Sequence, residues 1–336
     1  MSHPLLKENT PSEETCQDPV PGIVAGEELL PVELGAGSSS LLDTCDQVGI
    51  FHKTLVRALE LCGRGGEAYS VAGCCQDFRV GKCQSCGAAP AYPLTCSHRL
   101  CPSCAARRGA RLVAEHQDLL RQLHYPKMLT LTFLSVKELD RHFIRWARGC
   151  FTKLRHRKVF ESCWGGIYSF ETTWSAEFGW HLHIHALIGS GYIDQANLSK
   201  AWQKISGAVV VDIRSVKGKD KWGAVREVVK YPTKAATYLG NAALVDEFLK
   251  ATQGVNLAYG FGAMYRVKTR AHARDKMRCP LCGNQGISFK GGYGFYVPRV
   301  AVLRVKGGWL WRPPPGGPPP VLSNLDKGVG DEGWGI

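Results

Sequence analysis

Long apolar runs, an export signal and a nucleotide-binding loop are all missing from this sequence of 336 residues. No stretch of about 18 apolar residues occurs, which predicts that no segment spans a membrane. The N-terminus has no basic region followed by an apolar stretch, so we expect no signal peptide and a cytoplasmic location. No Gly-x-x-x-x-Gly-Lys-Ser/Thr loop is present, which argues against a fused helicase.

Acidic residues are scarce beyond residue 48. Residues 1–48 hold nine acidic residues and only one basic residue, Lys7, so residues 49–336 carry 41 basic against 20 acidic side chains. An excess of this size favours a polyanionic partner, because each neutralised phosphate releases counterions. Solubility alone is the competing explanation, and nucleic-acid binding is the one that the charge favours.

Composition divides the chain into five segments. Residues 1–48 are acidic and rich in Pro, Gly and Ser, which predicts a disordered arm, and the Pro/Gly run after Trp311 predicts a disordered tail over 305–336. Between them we expect three ordered parts: a cysteine module with its following helix, a central domain, and a C-terminal extension, over 74–125, 126–243 and 244–304.

The central part alternates strands and helices without a strict β-α-β rhythm. Short apolar stretches with period two predict strands near 128–134, 166–173, 181–188 and 208–214. Three- and four-residue apolar steps predict helices near 139–154, 194–206 and 221–241. We therefore expect an α+β fold, with a central antiparallel sheet and flanking helices.

Fourteen cysteines in a long chain, many set in Cys-x-x-Cys pairs, indicate metal binding in a reducing compartment. The pairs Cys83-x-x-Cys86 and Cys101-x-x-Cys104 are separated by fourteen residues, and two such pairs can hold one tetrahedral Zn²⁺. We therefore predict one structural zinc site built from these four cysteines. Cys96 or His98 could replace one of the ligands.

Another pair, Cys279-x-x-Cys282, has the form of half a zinc knuckle. Spacing alone does not identify its partners. The candidates are Cys74, Cys75, Cys96 and His272.

The segment Gly179-Trp-His-Leu-His-Ile-His-Ala-Leu-Ile188 is the most informative of the chain. Because side chains alternate along a strand, His181, His183 and His185 share one face and the apolar residues between them share the other. Successive imidazoles on that face are about 7 Å apart, so a neighbouring pair can hold one divalent ion through neutral ring nitrogens. A histidine and carboxylate site with open positions suits Mg²⁺ or Mn²⁺ acting on a phosphate.

This segment resembles the His-hydrophobic-His signature of the HUH endonuclease superfamily. The form Gly-Trp-His-x-His-x-His is especially similar to plasmid rolling-circle replication initiators. The resemblance implies a ferredoxin-like or RNA-recognition-like sheet, with His183 and His185 as metal ligands and His181 as an accessory ligand. Glu171, on the preceding strand, is the candidate for a further ligand.

The same resemblance implies a nucleophilic tyrosine after the histidine strand, with lysine close by. The matching segment is Glu227-Val-Val-Lys-Tyr-Pro-Thr-Lys234, in which Tyr231 would attack phosphorus. Lys230 and Lys234 would offset negative charge, and Glu227 matches a glutamate thought to activate water in one branch of initiators. Pro232 disfavours a continuous helix through Tyr231 and so weakens the alignment with Glu227. Tyr238 is the reserve nucleophile.

The expected function is therefore metal-dependent nicking and joining of single-stranded DNA at a replication origin of a plasmid or phage. A 5′-phosphotyrosyl link and a free 3′-hydroxyl would result, with host helicase and polymerase as partners. The alternatives are an HUH transposase or relaxase, a nuclease that uses water, and a non-catalytic zinc-ribbon protein that binds nucleic acid.

Overall fold

A computed structural model describes residues 41–217, 221–229, 235–265, 277–305 and 308–312, all within one unit of the chain, residues 31–336. The helices are α1 (Leu41–Leu61), α2 (Gly65–Ala72), α3 (Pro102–Arg121), α4 (Arg141–Arg155), α5 (Gln195–Ser206), α6 (Lys221–Val229), α7 (Ala236–Leu239) and α8 (Ala242–Thr252). The strands are β1 (Asp77–Val80), β2 (Lys82–Cys83), β3 (Pro90–Pro93), β4 (Pro126–Thr132), β5 (Cys163–Ser175), β6 (Gly179–Ser190), β7 (Val211–Ser215), β8 (Ala258–Gly262), β9 (Ile287–Ser288), β10 (Tyr296–Pro298), β11 (Val302–Val305) and β12 (Gly308–Trp311).

The larger sheet has the order β7-β4-β6-β5-β8, and every neighbouring pair in it is antiparallel. Its first four strands in the chain, with α4 and α5 between them, follow the β-α-β-β-α-β order of ferredoxin-like folds. The histidine strand, β6, is the middle strand of the five. The predicted α+β class with a central antiparallel sheet is confirmed.

One face of this sheet is apolar and packs on helices. Alternate residues of β6 (Leu182, Ile184, Ala186 and Ile188) are buried in a core with side chains from α1, α4, α5, α7 and α8. Asp140 and Asp194 are the N-cap residues of α4 and α5. The Asp140 carboxylate accepts from Phe143 N (2.6 Å), and the Asp194 carboxylate accepts from Asn197 N (2.8 Å). These caps fix where the two helices start against the sheet.

Two helices pack on one end of the opposite face. Apolar residues of α3 and α6, among them Leu120, Val225 and Val228, pack there on Ile167 and Leu187 of the sheet. The strand residues beyond that cluster on the same face are polar, and they include the histidine row. This arrangement positions a polar surface beside the ends of two helices.

A smaller five-stranded sheet has the order β10-β1-β3-β12-β11. It joins strands of the predicted cysteine module to strands of the predicted C-terminal extension, so these two segments fold together. The disordered tail predicted over 305–336 overlaps this sheet, because Trp309 and Trp311 lie in β12. Their rings pack against Phe78 (5.2 Å between centroids) and Phe295 (4.9 Å). The sequence alone did not predict this strand, because the neighbouring Pro/Gly run dominates the local composition and the alternation of Trp309 and Trp311 covers only two residues.

The predicted disordered arm also overlaps a helix, since α1 begins at Leu41 rather than after residue 48. Phe51, Leu55, Ala58 and Leu59 are buried in the main core. Their steps of three and four residues are helical, and the helix extends from them back into the acidic segment. Within the described residues, no helix combines the length and apolar character needed to cross a membrane.

Substitution of alanine at two glycines, Gly179 and Gly149, is expected to change the free energy of unfolding in opposite directions. Gly179, at the start of β6, has φ +81°, and a Cβ there would lie 2.4 Å from Val136 O. Gly149, inside α4, has no atom within 4 Å of the same position apart from its own helix backbone and chain neighbours. We expect Gly179→Ala to lower the free energy of unfolding by about 1–3 kcal/mol and Gly149→Ala to raise it by about 0.5–1 kcal/mol. Urea denaturation measures both, and a Gly179→Ala protein as stable as the native one would contradict the packing described.

Candidate metal and nucleic-acid site

The three histidines lie on the polar face of β6 as their alternation predicts. His181, His183 and His185 are half-buried while the residues between them are buried. The ring centroids of His181 and His183 are 4.2 Å apart, and those of His183 and His185 are 6.0 Å apart with nearly parallel planes. The result is a continuous row of imidazoles along the middle strand.

Neighbouring strands place polar side chains directly opposite this row. Glu171 of β5 pairs with His183, and Ser169 pairs with His185. On the other side, Thr130 and Thr132 of β4 pair with His185 and His183. Directly opposed residues of antiparallel strands share a face, so Glu171 faces the histidines, which its position in the sequence alone left open.

His185 has a polar neighbour at each ring nitrogen. Its Nδ1 lies 3.1 Å from Thr130 Oγ1, and its Nε2 lies 2.8 Å from Oε2 of the buried Glu171. The Nε2 atom is buried and, among the described residues, has no hydrogen-bond partner with acceptable angles. With the proton on Nδ1 donated to Thr130, the Nε2 lone pair is directed toward the carboxylate side. A nitrogen lone pair beside a carboxylate oxygen fits a divalent cation.

Sets of three or more ligand atoms within 4.8 Å of one another occur, in the part of the chain that the structure describes, only among cysteines. The histidine row is not such a set. His185 and Glu171 are in contact, whereas His183 and His181 continue along the strand. A cation held by His183, His185 and Glu171 therefore requires side-chain rotations that bring the ligand atoms together.

The predicted nucleophile and its lysines, Tyr231, Lys230 and Lys234, lie outside the described residues, and so does His272. Glu227 is described and is exposed on α6. The carbonyl of Val228, the next residue, accepts a hydrogen bond from Ser169 Oγ. Because Ser169 is opposite His185, the last turn of α6 lies beside the histidine row.

The next described residues, from Ala235 onward, lie on the other face of the sheet. Ala235, Tyr238 and Leu239 are buried in the main core, and Thr237 Oγ1 accepts from Trp174 N of β5 at 3.1 Å. Tyr238 packs on Trp180 and Phe248 with centroid distances of 4.9 and 5.2 Å. The reserve nucleophile is therefore a core residue on the apolar face, away from the histidines.

Eight of the twelve described cysteines form two groups of four, and the predicted grouping of Cys83 and Cys86 with Cys101 and Cys104 is wrong. Cys101 and Cys104 lie with Cys74 and Cys96, whereas Cys83 and Cys86 lie with Cys279 and Cys282. Antiparallel pairing of β2 with β9, which places Cys83 opposite Ile287, brings the distant C-terminal pair to the first pair. Sequence spacing could not find this, because 193 residues separate the contacting Cys86 and Cys279.

Each group has the dimensions of a tetrahedral thiolate site. Sγ atoms in contact are 3.6 Å apart in both groups, for example Cys83 with Cys282 and Cys74 with Cys104. Four sulfurs at about 2.3 Å from a zinc ion would be roughly 3.8 Å from each other. Backbone N–H groups of Cys86 and Ser85 lower the pKa of the Cys83 thiol to about 7. The Cys101 thiol likewise lowers the pKa of Cys104 to about 7.

Two further residues considered as ligands lie beside these groups. His98 Nε2 is 3.1 Å from Glu67 Oε2 of α2, and burial lowers the pKa of His98. Cys75 Sγ is 3.8 Å from Cys74 Sγ but is outside the group of four. Cys96, by contrast, is one of the four, as the sequence allowed.

Fold and site together define a class: an α+β protein that has a histidine row on the middle strand of its antiparallel sheet and two cysteine clusters that could hold metal. A family model described as "Replication protein" matches residues 91–279, which is more than half of the chain. The chain therefore belongs to this family of replication proteins. The match confirms the resemblance to plasmid replication initiators, and the sheet is consistent with the HUH superfamily.

Two curated relatives carry the name "Protein rep". The one from a Bacillus species is 30% identical over 173 residues, which cover 41% of this chain and 56% of the relative. The one from Bacillus amyloliquefaciens is 28% identical over 188 residues, which cover 46% of this chain and 56% of the relative. The chain thus spans little more than half the length of these relatives. No solved structure matches it.

Proposed function

We propose that this protein initiates rolling-circle replication of a plasmid by nicking single-stranded DNA at the origin with Tyr231. One observation carries the proposal: the half-buried histidine row, with Glu171 against His185, lies beside the last turn of α6, three residues before Tyr231 in the chain. A non-catalytic zinc protein would leave this row without a role. The family match favours a replication initiator over a transposase or relaxase.

His183, His185 and Glu171 would hold a divalent cation, Mg²⁺ or Mn²⁺, with His181 as an accessory group. Bound there, the ion would polarise the scissile phosphate and offset its charge. Thr130 would act on the ligand set through His185: in the tautomer with the proton on Nδ1, its hydroxyl accepts from that nitrogen and the Nε2 lone pair stays available. The buried carboxylate of Glu171 adds the negative charge that a hard cation requires.

Tyr231 would attack the phosphorus of one phosphodiester. A bond forms between the tyrosine oxygen and phosphorus while the bond from phosphorus to the 3′-oxygen breaks. The phenol loses its proton and the leaving 3′-oxygen gains one, so a 5′-phosphotyrosyl link and a 3′-hydroxyl result. Lys230 and Lys234 would offset charge on the phosphate. Glu227, exposed on α6, would activate water to end the cycle.

Segment geometry supports Tyr231 as the nucleophile. Val228 contacts β5 at Ser169 on the histidine face, and Thr237 contacts β5 at Trp174, five residues further along the same strand. Five residues of strand measure about 17 Å, and nine residues of extended chain can span up to about 30 Å. The connection that includes Tyr231 is therefore long enough to pass Glu171 and the histidines.

Each group of four cysteines would hold one structural Zn²⁺, two ions per chain. Replacement of Cys279 and Cys282 by serine should lower zinc to about one ion per chain, because the remaining pair, Cys83 and Cys86, cannot complete a tetrahedron. Plasma mass spectrometry of the purified chain measures this. Cys62→Ser is the matched control, since Cys62 belongs to neither group, and it should keep two ions. Full zinc content in the double variant would contradict the second site.

The proposed chemistry is tested by incubating the protein with origin single-stranded DNA and Mg²⁺ or Mn²⁺ and looking for a denaturant-resistant protein–DNA adduct. The adduct should require a free tyrosine at position 231 and the histidine pair. Host helicase and polymerase would act on the products, and their recruitment is a separate question for reconstituted replication.

A further inference from the structure

Two adjoining clefts lie at the β8 edge of the larger sheet. The first, of about 500 Å³, lies beside α3, and the second, of about 320 Å³, lies beside α4. Both are lined by Val255 and Asn256, which precede β8. Ala258 lines the first cleft and Tyr259 the second. Because consecutive strand residues face opposite sides, the clefts open on opposite faces of the sheet and meet at its edge.

Arginine is the most frequent residue type in the lining of both clefts. Arg99, Arg108 and Arg111 line the first, together with one acidic residue, Glu115. Arg145 and Arg148 line the second, and no acidic residue does. Glu115 Oε1 is 2.8 Å from Arg111 Nε, so one of five positive charges is offset locally. The net charge of the lining is therefore strongly positive.

Some of these arginines are hydrogen-bonded into the wall of a cleft, and others are exposed to solvent in it. Arg99 donates to Val255 O at 2.8 Å, and Arg108 donates to the carbonyls of Ser97, His98 and Arg99, which fixes the wall. Arg145 and Arg148 are exposed on α4. The guanidinium of Arg148 lies 4.5 Å from the ring centroid of Tyr259, and that ring stacks on Tyr168. A guanidinium has five N–H groups in a fixed fork, so Arg148 can contact the hydroxyls of Tyr168 and Tyr259 and still offer N–H groups to a phosphate.

The sheet register relates these clefts to the histidine row. Ala258 pairs with Ser169, and Ser169 pairs with His185. Two strand spacings, about 10 Å, therefore separate the cleft edge from His185. The last turn of α6, bonded to Ser169 through Val228 O, lies between them.

We propose that the paired clefts bind the backbone of single-stranded DNA next to the scissile phosphate. This rests on the proposed nicking function and adds a second contact region to it. Arginine forks match phosphate oxygens and tolerate any sequence. A DNA strand that occupies both clefts has to bend around the edge of the sheet. A single strand can do this, whereas duplex DNA is stiff over roughly 150 base pairs.

The test is a comparison of two double variants in fluorescence anisotropy with a 30-nucleotide single strand. Arg145→Gln with Arg148→Gln should weaken binding at least about 10-fold near 0.1 M salt, because two charge-assisted contacts are lost. The slope of log affinity against log salt should fall by about 1.4, at roughly 0.7 per phosphate contact. Lys153→Gln with Arg157→Gln removes the same charge from exposed positions that line neither cleft, and its affinity should change less than 3-fold.

Substrate length separates this inference from the nicking proposal. The loss caused by the Arg145/Arg148 variant should be larger for the 30-nucleotide strand than for one of about eight nucleotides centred on the nick, which cannot fill both clefts. Equal losses in the two double variants, or no loss, would overturn the inference, and so would a greater loss on RNA than on DNA. If the native protein formed no adduct, the nicking proposal would fail while the binding comparison still decided the clefts.

Discussion

Replacing Tyr231 by phenylalanine is expected to abolish the covalent protein–DNA adduct. Phenylalanine keeps the ring but lacks the oxygen that forms the bond to phosphorus, so the first step has no nucleophile. The loss should be on the order of 10³-fold or more, as is typical when a nucleophile is removed. Denaturing gel electrophoresis with a strand labelled on the 3′ side of the nick measures the adduct directly.

Tyr238→Phe is the matched control for this experiment. Tyr238 is buried and packs on Trp180 and Phe248 of the apolar face, so loss of its hydroxyl should leave adduct formation intact. Binding of uncleaved DNA by the Tyr231→Phe protein should remain close to native. Cleavage that survives in Tyr231→Phe would identify a nuclease that uses water and would contradict the proposed nucleophile.

The second large effect is expected from His183→Ala combined with His185→Ala. Without these imidazoles, only Glu171 and the accessory His181 remain, which are too few ligands to hold a divalent cation in place. Metal-dependent nicking should fall at least 10²–10³-fold, the loss typical of removing one source of charge stabilisation. Single-turnover nicking rates at increasing Mn²⁺ concentration measure it, and excess Mn²⁺ should not restore the native rate.

A control pair for the histidines is His142→Ala with His156→Ala, because both side chains are exposed at the ends of α4. This pair should nick at the native rate. Thermal unfolding of the His183/His185 variant should resemble that of the native chain, since both side chains are only half-buried. Native nicking by a folded His183/His185 variant would exclude the histidine row from the chemistry.

Sequence patterns predicted the parts of the fold in which one periodicity dominates. The alternation around His181–His185 correctly predicted which residues face the core, because a strand with one buried face permits only one assignment. The apolar steps of α4 and α5 gave both helices to within a few residues of their ends. At Gly179-Trp-His-x-His-x-His, the resemblance led to the family that the comparisons found.

Long-range pairing was beyond the sequence. Cys83 and Cys86 could have joined Cys101 and Cys104 by spacing, but the pairing of β2 with β9 brings Cys279 and Cys282 to them. Trp309 and Trp311 were assigned to a tail because their Pro/Gly neighbours dominate the local composition. The contact of Glu171 with His185 depends on register between β5 and β6, which a single sequence does not fix.

The central claim is that the imidazoles of β6 and the phenol of Tyr231 act on the same phosphodiester. It is tested most directly by digesting the trapped adduct with nuclease and trypsin and identifying the modified peptide by mass spectrometry. The account predicts a nucleotide attached through its 5′-phosphate to the peptide Tyr231–Lys234. This modification should be absent when His183 and His185 are both alanine. A nucleotide attached to another residue, or nicked DNA with a free 5′-phosphate and no adduct, would contradict it.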